Sequence, residues 1–175
     1  MGKIYFVRHG ESEGNVKHTF AGQRENTPLT ELGRQQAKQA ALDLLNHNFK
    51  IDRVITSPLK RAYETAQIIA KEAKLSSQIE IDERISEYDM GELTGTTYHK
   101  ITSEELVTAK GAEDPHAFQN RVHDLLNELA QGDKNVLIVS HAGVGRIIEA
   151  TKKNLDPRNF YDLNSMQNAK VIVLD

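Results

Sequence analysis

The sequence predicts an α/β fold: a three-layer α/β/α sandwich with a mainly parallel central sheet. Two observations carry that expectation. Short continuous apolar runs rich in β-formers recur along the chain, as buried strands require, and segments of helical periodicity lie between them. Strands that alternate with helices form a parallel sheet covered on both faces.

The elements follow in order. Ile4-Tyr5-Phe6-Val7 reads as the first strand. Thr30 can cap a helix running to about His47, with Leu32, Ala37, Ala41 and Leu44 or Leu45 on one face. Arg53-Val54-Ile55-Thr56 is the second strand. Ser57-Pro58 then supplies an N-cap and first helical position for a helix through Ala62, Ala66, Ile69 and Ala70. A weak strand at Ile79 to Ile81 precedes a helix from His116 to Gln131, which repeats Phe118, Val122, Leu125, Leu126 and Leu129. Val136 to Ser140 is the strongest strand, Ala142 to Thr151 a shorter helix, and Val171 to Leu174 the last strand.

The chain of 175 residues is expected to be one domain, 1–175. A net charge of -3 offers no general attraction for nucleic acid or an anionic membrane, so an anionic ligand must be held by locally gathered arginines. Cysteine is absent, which removes thiolate nucleophiles and cysteine metal sites and fits a reducing, cytoplasmic setting. No apolar stretch is long enough to span a bilayer, and the apolar run Ile4 to Val7 is too short for a secretory signal. Oligomeric state is not readable.

Chemistry gathers where strands end. In open α/β sheets, ligands bind beyond the carboxyl ends of the strands. One strand here runs into Arg8-His9-Gly10, another into Ser57-Pro58 with Arg61 a turn later, and a third into His141-Ala142-Gly143. A lone Arg-His pair after a strand is ordinarily a solvated loop; convergence of three such ends changes that reading. Arginine supplies paired planar donors for a phosphoryl dianion, roughly 4 kcal/mol of Coulomb attraction per pair at about 4 Å and an effective dielectric of about 20. The same charge favours a neutral His9, and a neutral nitrogen can attack phosphorus. Arg61 falls in the first turn of its helix, where the macrodipole disfavours a cation unless an anion is bound. His141 stands just before a helix N-terminus, itself favourable to anions. Cleavage of a phosphate ester also needs a proton donor for the leaving oxygen, and Glu83, Glu87, Asp89 and Glu92 are the candidates.

These blocks resemble the histidine phosphatase superfamily, which also contains the phosphoglycerate mutases. Arg8-His9-Gly10-Glu11-Ser12 with Asn15 is similar to its opening motif, and Pro28-Leu29-Thr30 with Gly33 and Gln36-Ala37 to its second block. Ser57-Pro58-Leu59 with Arg61-Ala62 and Thr65-Ala66 resembles the third, Glu87 with Gly91 and Gly95 the acid-bearing block, and Ser140-His141-Ala142-Gly143 the last. The resemblance implies a phosphoglycerate mutase-like fold, with His9 as phosphorylated nucleophile and Glu87 as general acid and base. It also implies Arg8, Arg61 and His141 as phosphate ligands, Asn15, Gly22, Gln23 and Ala142 at the substrate, and no metal or other cofactor. Thr94, where many relatives have a second acid, and Ala142, where many have glycine, are departures that bear on substrate preference.

A small-molecule phosphate ester or a phosphoprotein is the expected partner. The short stretch from Gly95 to His116, within a small cap-like region around 94–115, and the short chain end favour hydrolysis over mutase transfer. Four further readings are weaker. Gly10-Glu11-Ser12-Glu13-Gly14 fits a serine hydrolase elbow, but too little chain precedes it for that fold. Asp114-Pro115-His116 has metal-site spacing but reads better as a helix cap. Ala142-Gly143-Val144-Gly145 has Ile148 where a dinucleotide loop needs glycine. A phosphoprotein-binding module without turnover is disfavoured by the presence of every catalytic group. For Tyr98 and His99 an exposed loop is the better reading than a position over the site mouth.

Overall fold

The computed structural model describes residues 2–174. Strands β1 (Ile4–Arg8), β2 (Arg53–Thr56), β3 (Ile79–Ile81), β4 (Val136–Ser140) and β5 (Val171–Leu174) form one sheet. Their order is β3-β2-β4-β1-β5, and β5 alone runs antiparallel to its neighbour. Each apolar run named above is a strand, and the first extends one residue further, to Arg8.

Helices α1 (Glu13–Val16), α2 (Glu31–Asn46), α3 (Lys60–Glu72), α4 (Ser103–Thr108), α5 (Pro115–Ala130) and α6 (Ala142–Lys152) surround the sheet. Strand side chains alternate between its two faces. Phe6, Ile55 and Ile138 join α5 and α6 in one core layer. Tyr5, Val7, Val54, Leu137 and Val139 join α2 and α3 in the other. The sandwich is therefore the predicted one.

Two expectations need correction. The helix after β2 begins at Lys60 with Leu59 as its cap residue, not at Ser57-Pro58. Ser57 is held elsewhere: its Oγ accepts from the Leu59 N–H at 3.3 Å and lies 2.7 Å from His141 Nε2. On α2 the buried face is Gly33, Ala37, Ala40, Ala41 and Leu44, whereas Leu32 and Leu45 are 49% and 48% exposed. Alanines on α2 meet Ala62 and Ala66 of α3, so the two helices approach closely and leave no room for those leucines between them.

The region 94–115 contains α4, which Thr102 and Glu105 cap reciprocally. Leu106 of α4 enters the same core layer as Phe160, from the short 3-10 turn Pro157–Asp162. Asp114 accepts from the Ala117 N–H, so the Asp114-Pro115-His116 triplet is the start of α5. Among the described residues no helix is long and apolar enough to cross a membrane.

Candidate active site

Strand register brings the motifs together. β4 lies between β1 and β2, and pairing continues one residue past the strands on both sides. The His9 N–H donates to Ser140 O at 2.9 Å, and the Ser57 N–H donates to Val139 O at 3.1 Å. His9, His141 and Ser57 thus stand side by side at one sheet edge; the two imidazole centroids are 5.2 Å apart.

The second and third sequence blocks brace the His9 loop. Gln36 Oε1 accepts from the Glu11 N–H at 2.8 Å, and Thr65 Oγ1 accepts from the Gly10 N–H at 3.1 Å. Gly10 and Gly33 pass so closely that a β-carbon on either would overlap backbone. Ser12 caps α1 in a reciprocal capping box with Asn15, so its hydroxyl is occupied as a cap. From the far end of the chain, Asn168 Nδ2 donates to His9 O at 2.9 Å and reaches Asn15 Oδ1 at 3.4 Å.

His9 is buried, and its Nδ1 lies 2.6 Å from Gly10 O. A carbonyl only accepts, so Nδ1 carries the proton and a neutral ring presents an unprotonated Nε2. Burial first, then the charges of Arg61 and Arg8, hold the imidazole well below its ordinary pKa, against a smaller opposing effect of the Gly10 bond. His141 is lowered in the same way, by burial and then by Arg61, His9 and Arg8.

Arg61 is 2% exposed, which rules out a surface role. Its terminal nitrogens donate to Gly22 O at 2.7 Å and Glu25 O at 3.2 Å. Burial lowers its pKa to about 10, still a cation at neutral pH. Arg8 Nη1 donates to Met166 O at 2.8 Å. Ser12, Thr30, Thr102 and Asp114 cap α1, α2, α4 and α5 with side-chain bonds, whereas α3 and α6, which follow β2 and β4, have none. Side chains from elsewhere reach their first turns instead: Asn26 Oδ1 accepts from the Lys60 N–H at 2.7 Å, and Glu87 Oε2 from the Gly143 N–H at 3.3 Å.

A cleft of about 310 Å³ opens above these residues. Arg8, His9, Asn15, Gly22, Arg61 and Glu87 line it, with Ala142 and Gly143 at the start of α6. His141 is wholly buried behind them. Gln23 lies off the cleft; its amide donates to Glu87 O at 2.8 Å and steadies the acid-bearing segment.

Of the four candidate carboxylates, Glu87 alone lines the cleft. Asp89 pairs with Arg24 at 2.8 Å, Glu92 accepts from the Lys110 N–H at 3.0 Å, and Glu83 is exposed in a 3-10 turn. Glu87 Oε2 accepts from the Gly143 N–H at 3.3 Å, and Oε1 from its neighbour's N–H at 2.9 Å. Its segment hangs on Arg121 of α5, which donates to the carbonyls of Arg84, Ser86 and Glu87 while forking onto Glu113.

The pattern of blocks extends to whole-chain comparison. Residues 4–175 match the family model described as "Histidine phosphatase superfamily (branch 1)". The chain belongs to that superfamily. It is 30% identical over 177 residues to the 2,3-bisphosphoglycerate-dependent phosphoglycerate mutase of Thermoplasma acidophilum, covering 97% of this chain and 84% of that one. Among solved structures it is similar to a mycobacterial glucosyl-3-phosphoglycerate phosphatase in complex with VO3, with TM-score 0.82, 26% identity and coverage of 100% and 91%. Bacillus stearothermophilus YhfR superposes with TM-score 0.85 at 25% identity, with coverage of 100% and 91%. Superfamily membership agrees with the enzyme class and the phosphoglycerate mutase-like fold expected from the motifs.

Several cleft residues carry no signal in the sequence blocks. Arg146, Tyr161, Ser165 and Asn168 line it from α6 and the segment before β5. Tyr98 is half-buried at the mouth, where its hydroxyl meets His18 Nδ1 at 2.9 Å and its ring lies 5.8 Å from Phe20. That corrects the exposed-loop expectation for Tyr98; His99 is exposed as expected. An aromatic residue at a loop end was the available signal. Among the described residues no three His, Cys, Asp or Glu side chains gather as a metal site would require.

Proposed function

We propose that the chain is a phosphomonoesterase that works without a metal ion, through a phosphohistidine on His9. The observation that carries this reading is the His9–Gly10 bond, which leaves a neutral Nε2 beside the buried guanidinium of Arg61 and the half-buried one of Arg8. Nε2 attacks phosphorus and forms the N–P bond as the bond from phosphorus to the leaving oxygen breaks. Glu87 gives that oxygen its proton. Water then attacks the phosphohistidine, Glu87 takes the water's proton, and the N–P bond breaks to release phosphate.

Arg8 and Arg61 hold the nonbridging oxygens and supply fixed charge, while His141, neutral and buried behind them with Nδ1 unpartnered among the described residues, is the third phosphate ligand the motif implies. Asn15 Oδ1 is engaged by the Ser12 N–H at 3.1 Å, so its Nδ2 is the group left for the phosphoryl oxygens. Gly22 acts through its carbonyl, which orients Arg61. Region 94–115 contributes Tyr98 to the cleft mouth.

The relative named as a mutase supports a second reading, in which the phosphohistidine passes its phosphoryl group to another hydroxyl rather than to water. Incubation with labelled phosphate esters, quenched without acid, distinguishes the cases. Hydrolysis on His9 predicts label on His9, release of inorganic phosphate in the presence of a chelator, and loss of both in His9→Ala. Isomerised ester without phosphate release selects the mutase. Binding with neither label nor turnover selects a phosphoprotein-type binding module. Phosphate release that a chelator abolishes overturns the metal-free mechanism.

A further inference from the structure

Ser57 stands one residue past β2 and His141 one residue past β4, and both are wholly buried. The serine is held from two sides: its N–H donates to Val139 O at 3.1 Å, and its Oγ accepts from the Leu59 N–H at 3.3 Å. The same Oγ lies 2.7 Å from His141 Nε2, which among the described residues is the one acceptor within reach of the hydroxyl proton. Nδ1 of that ring is buried and has no partner among them.

Burial, then the charges of Arg61, His9 and Arg8, hold His141 well below 6.5, so at neutral pH the ring carries a single proton. That proton can sit on either nitrogen, and the Ser57 bond runs in opposite directions in the two cases. With the proton on Nε2, Oγ would accept twice. The buried serine proton would then have no acceptor, and Nδ1 would turn a bare lone pair toward any bound anion. With the proton on Nδ1, Oγ accepts from Leu59 and donates to Nε2, so the serine is fully satisfied. Only the Nδ1–H of the pair is then left over, and an N–H is what a phosphoryl oxygen requires.

We propose that Ser57 is a positioning residue for the phosphoryl site: its hydroxyl donates to His141 Nε2 and fixes the tautomer in which a neutral His141 gives Nδ1–H to a phosphoryl oxygen. The two imidazoles then carry their proton on the same atom and use opposite nitrogens. His9, held by Gly10 O at Nδ1, offers a bare Nε2 to phosphorus. His141, held by Ser57 at Nε2, offers a donor to oxygen. Arg8 and Arg61 supply the charge, so His141 needs none. This inference rests on the reading of the cleft as a phosphoryl site.

Nitrogen NMR of histidine-labelled protein tests it, because protonated and bare ring nitrogens have well-separated shifts; loss of signals in His141→Gln assigns them. At about pH 8, where a lowered histidine pKa leaves the ring neutral, wild-type protein loaded with inorganic phosphate should show His141 with Nδ1 protonated and Nε2 bare. A protonated Nε2 overturns the proposal. Ser57→Ala should move the His141 proton wholly or partly to Nε2. It should also weaken binding of inorganic phosphate and lower kcat/KM on p-nitrophenyl phosphate, each about tenfold, as loss of one hydrogen bond to a charged group implies. A folded Ser57→Ala protein with the wild-type tautomer and wild-type phosphate affinity overturns the role of the serine. Should Ser57→Ala fail to fold, the wild-type spectrum decides, since a bare Nε2 at 2.7 Å from Oγ makes the serine the donor. The expected tautomer in a protein that binds phosphate but turns over no ester leaves the role of Ser57 standing and overturns the hydrolase reading instead.

Discussion

The carboxylate of Glu87 rests on the backbone of Gly143: Oε2 accepts its N–H at 3.3 Å, and a β-carbon at 143 would overlap Oε1. The glycine after the second histidine block therefore has a physical reason in the acid. Gly143→Ala must push Glu87 aside. It should lower kcat/KM on alkyl phosphates about a hundredfold, in the range of general-acid effects, and act much less on p-nitrophenyl phosphate, whose leaving group needs no proton. Equal losses on both would remove Glu87 from the proton-donor role.

Arg121 acts on the same carboxylate from a distance. It makes no contact with the cleft but fixes three carbonyls of the segment carrying Glu87. Arg121→Met leaves those acceptors and Glu113 without their partner. The expected cost is roughly 2–3 kcal/mol in urea unfolding. A steeper dependence of kcat on leaving-group pKa should accompany it. Lost stability with an unchanged leaving-group slope would mean that Arg121 is structural only.

The two buried imidazoles make stability depend on pH in a defined window. Both have folded pKa values well below 6.5, so below about pH 6.5 the unfolded chain binds more protons than the native one. Stability contributed by their neutral forms is complete above that pH and declines as pH falls toward the folded pKa values. The slope should be about 1 kcal/mol per pH unit per histidine. Urea midpoints between pH 7.5 and 5.0 measure it. Inorganic phosphate should flatten the slope, because a bound anion favours the imidazolium. A flat profile without phosphate would contradict the buried neutral pair.

Asn168 tests the contribution of the segment before β5. Its amide holds the His9 carbonyl at 2.9 Å and touches Asn15, the proposed phosphoryl donor. Asn168→Ala should reduce kcat about tenfold by loosening the nucleophile's backbone. Circular dichroism should remain native. Wild-type kcat in a folded Asn168→Ala protein would limit the segment to packing.

Much of this was open to inspection in the chain itself. The strands are legible because a buried parallel strand is apolar at every position, as in Val136–Ser140. His9 and Arg61 stood out because each follows a strand end in a short block, whereas the residues alone left four carboxylates open and only the family resemblance singled out Glu87. Arg146, Asn168 and Arg121 were not, since each works through partners 8 to 159 positions away, in other elements of the fold. Periodicity also misplaced Leu32 on the buried face of α2 and left Leu44 and Leu45 undecided, because the width of that face depends on how closely α3 approaches.

The sequence by itself determined the sheet and helix alternation, the superfamily, and the chemical types of groups available, since period and motif spacing are local properties of the chain. Only the tertiary structure decided which of four carboxylates lines the cleft and that Arg8, Arg61 and Arg146 line it too. Those outcomes depend on strand order and helix approach, and such long-range packing is not written at any single position.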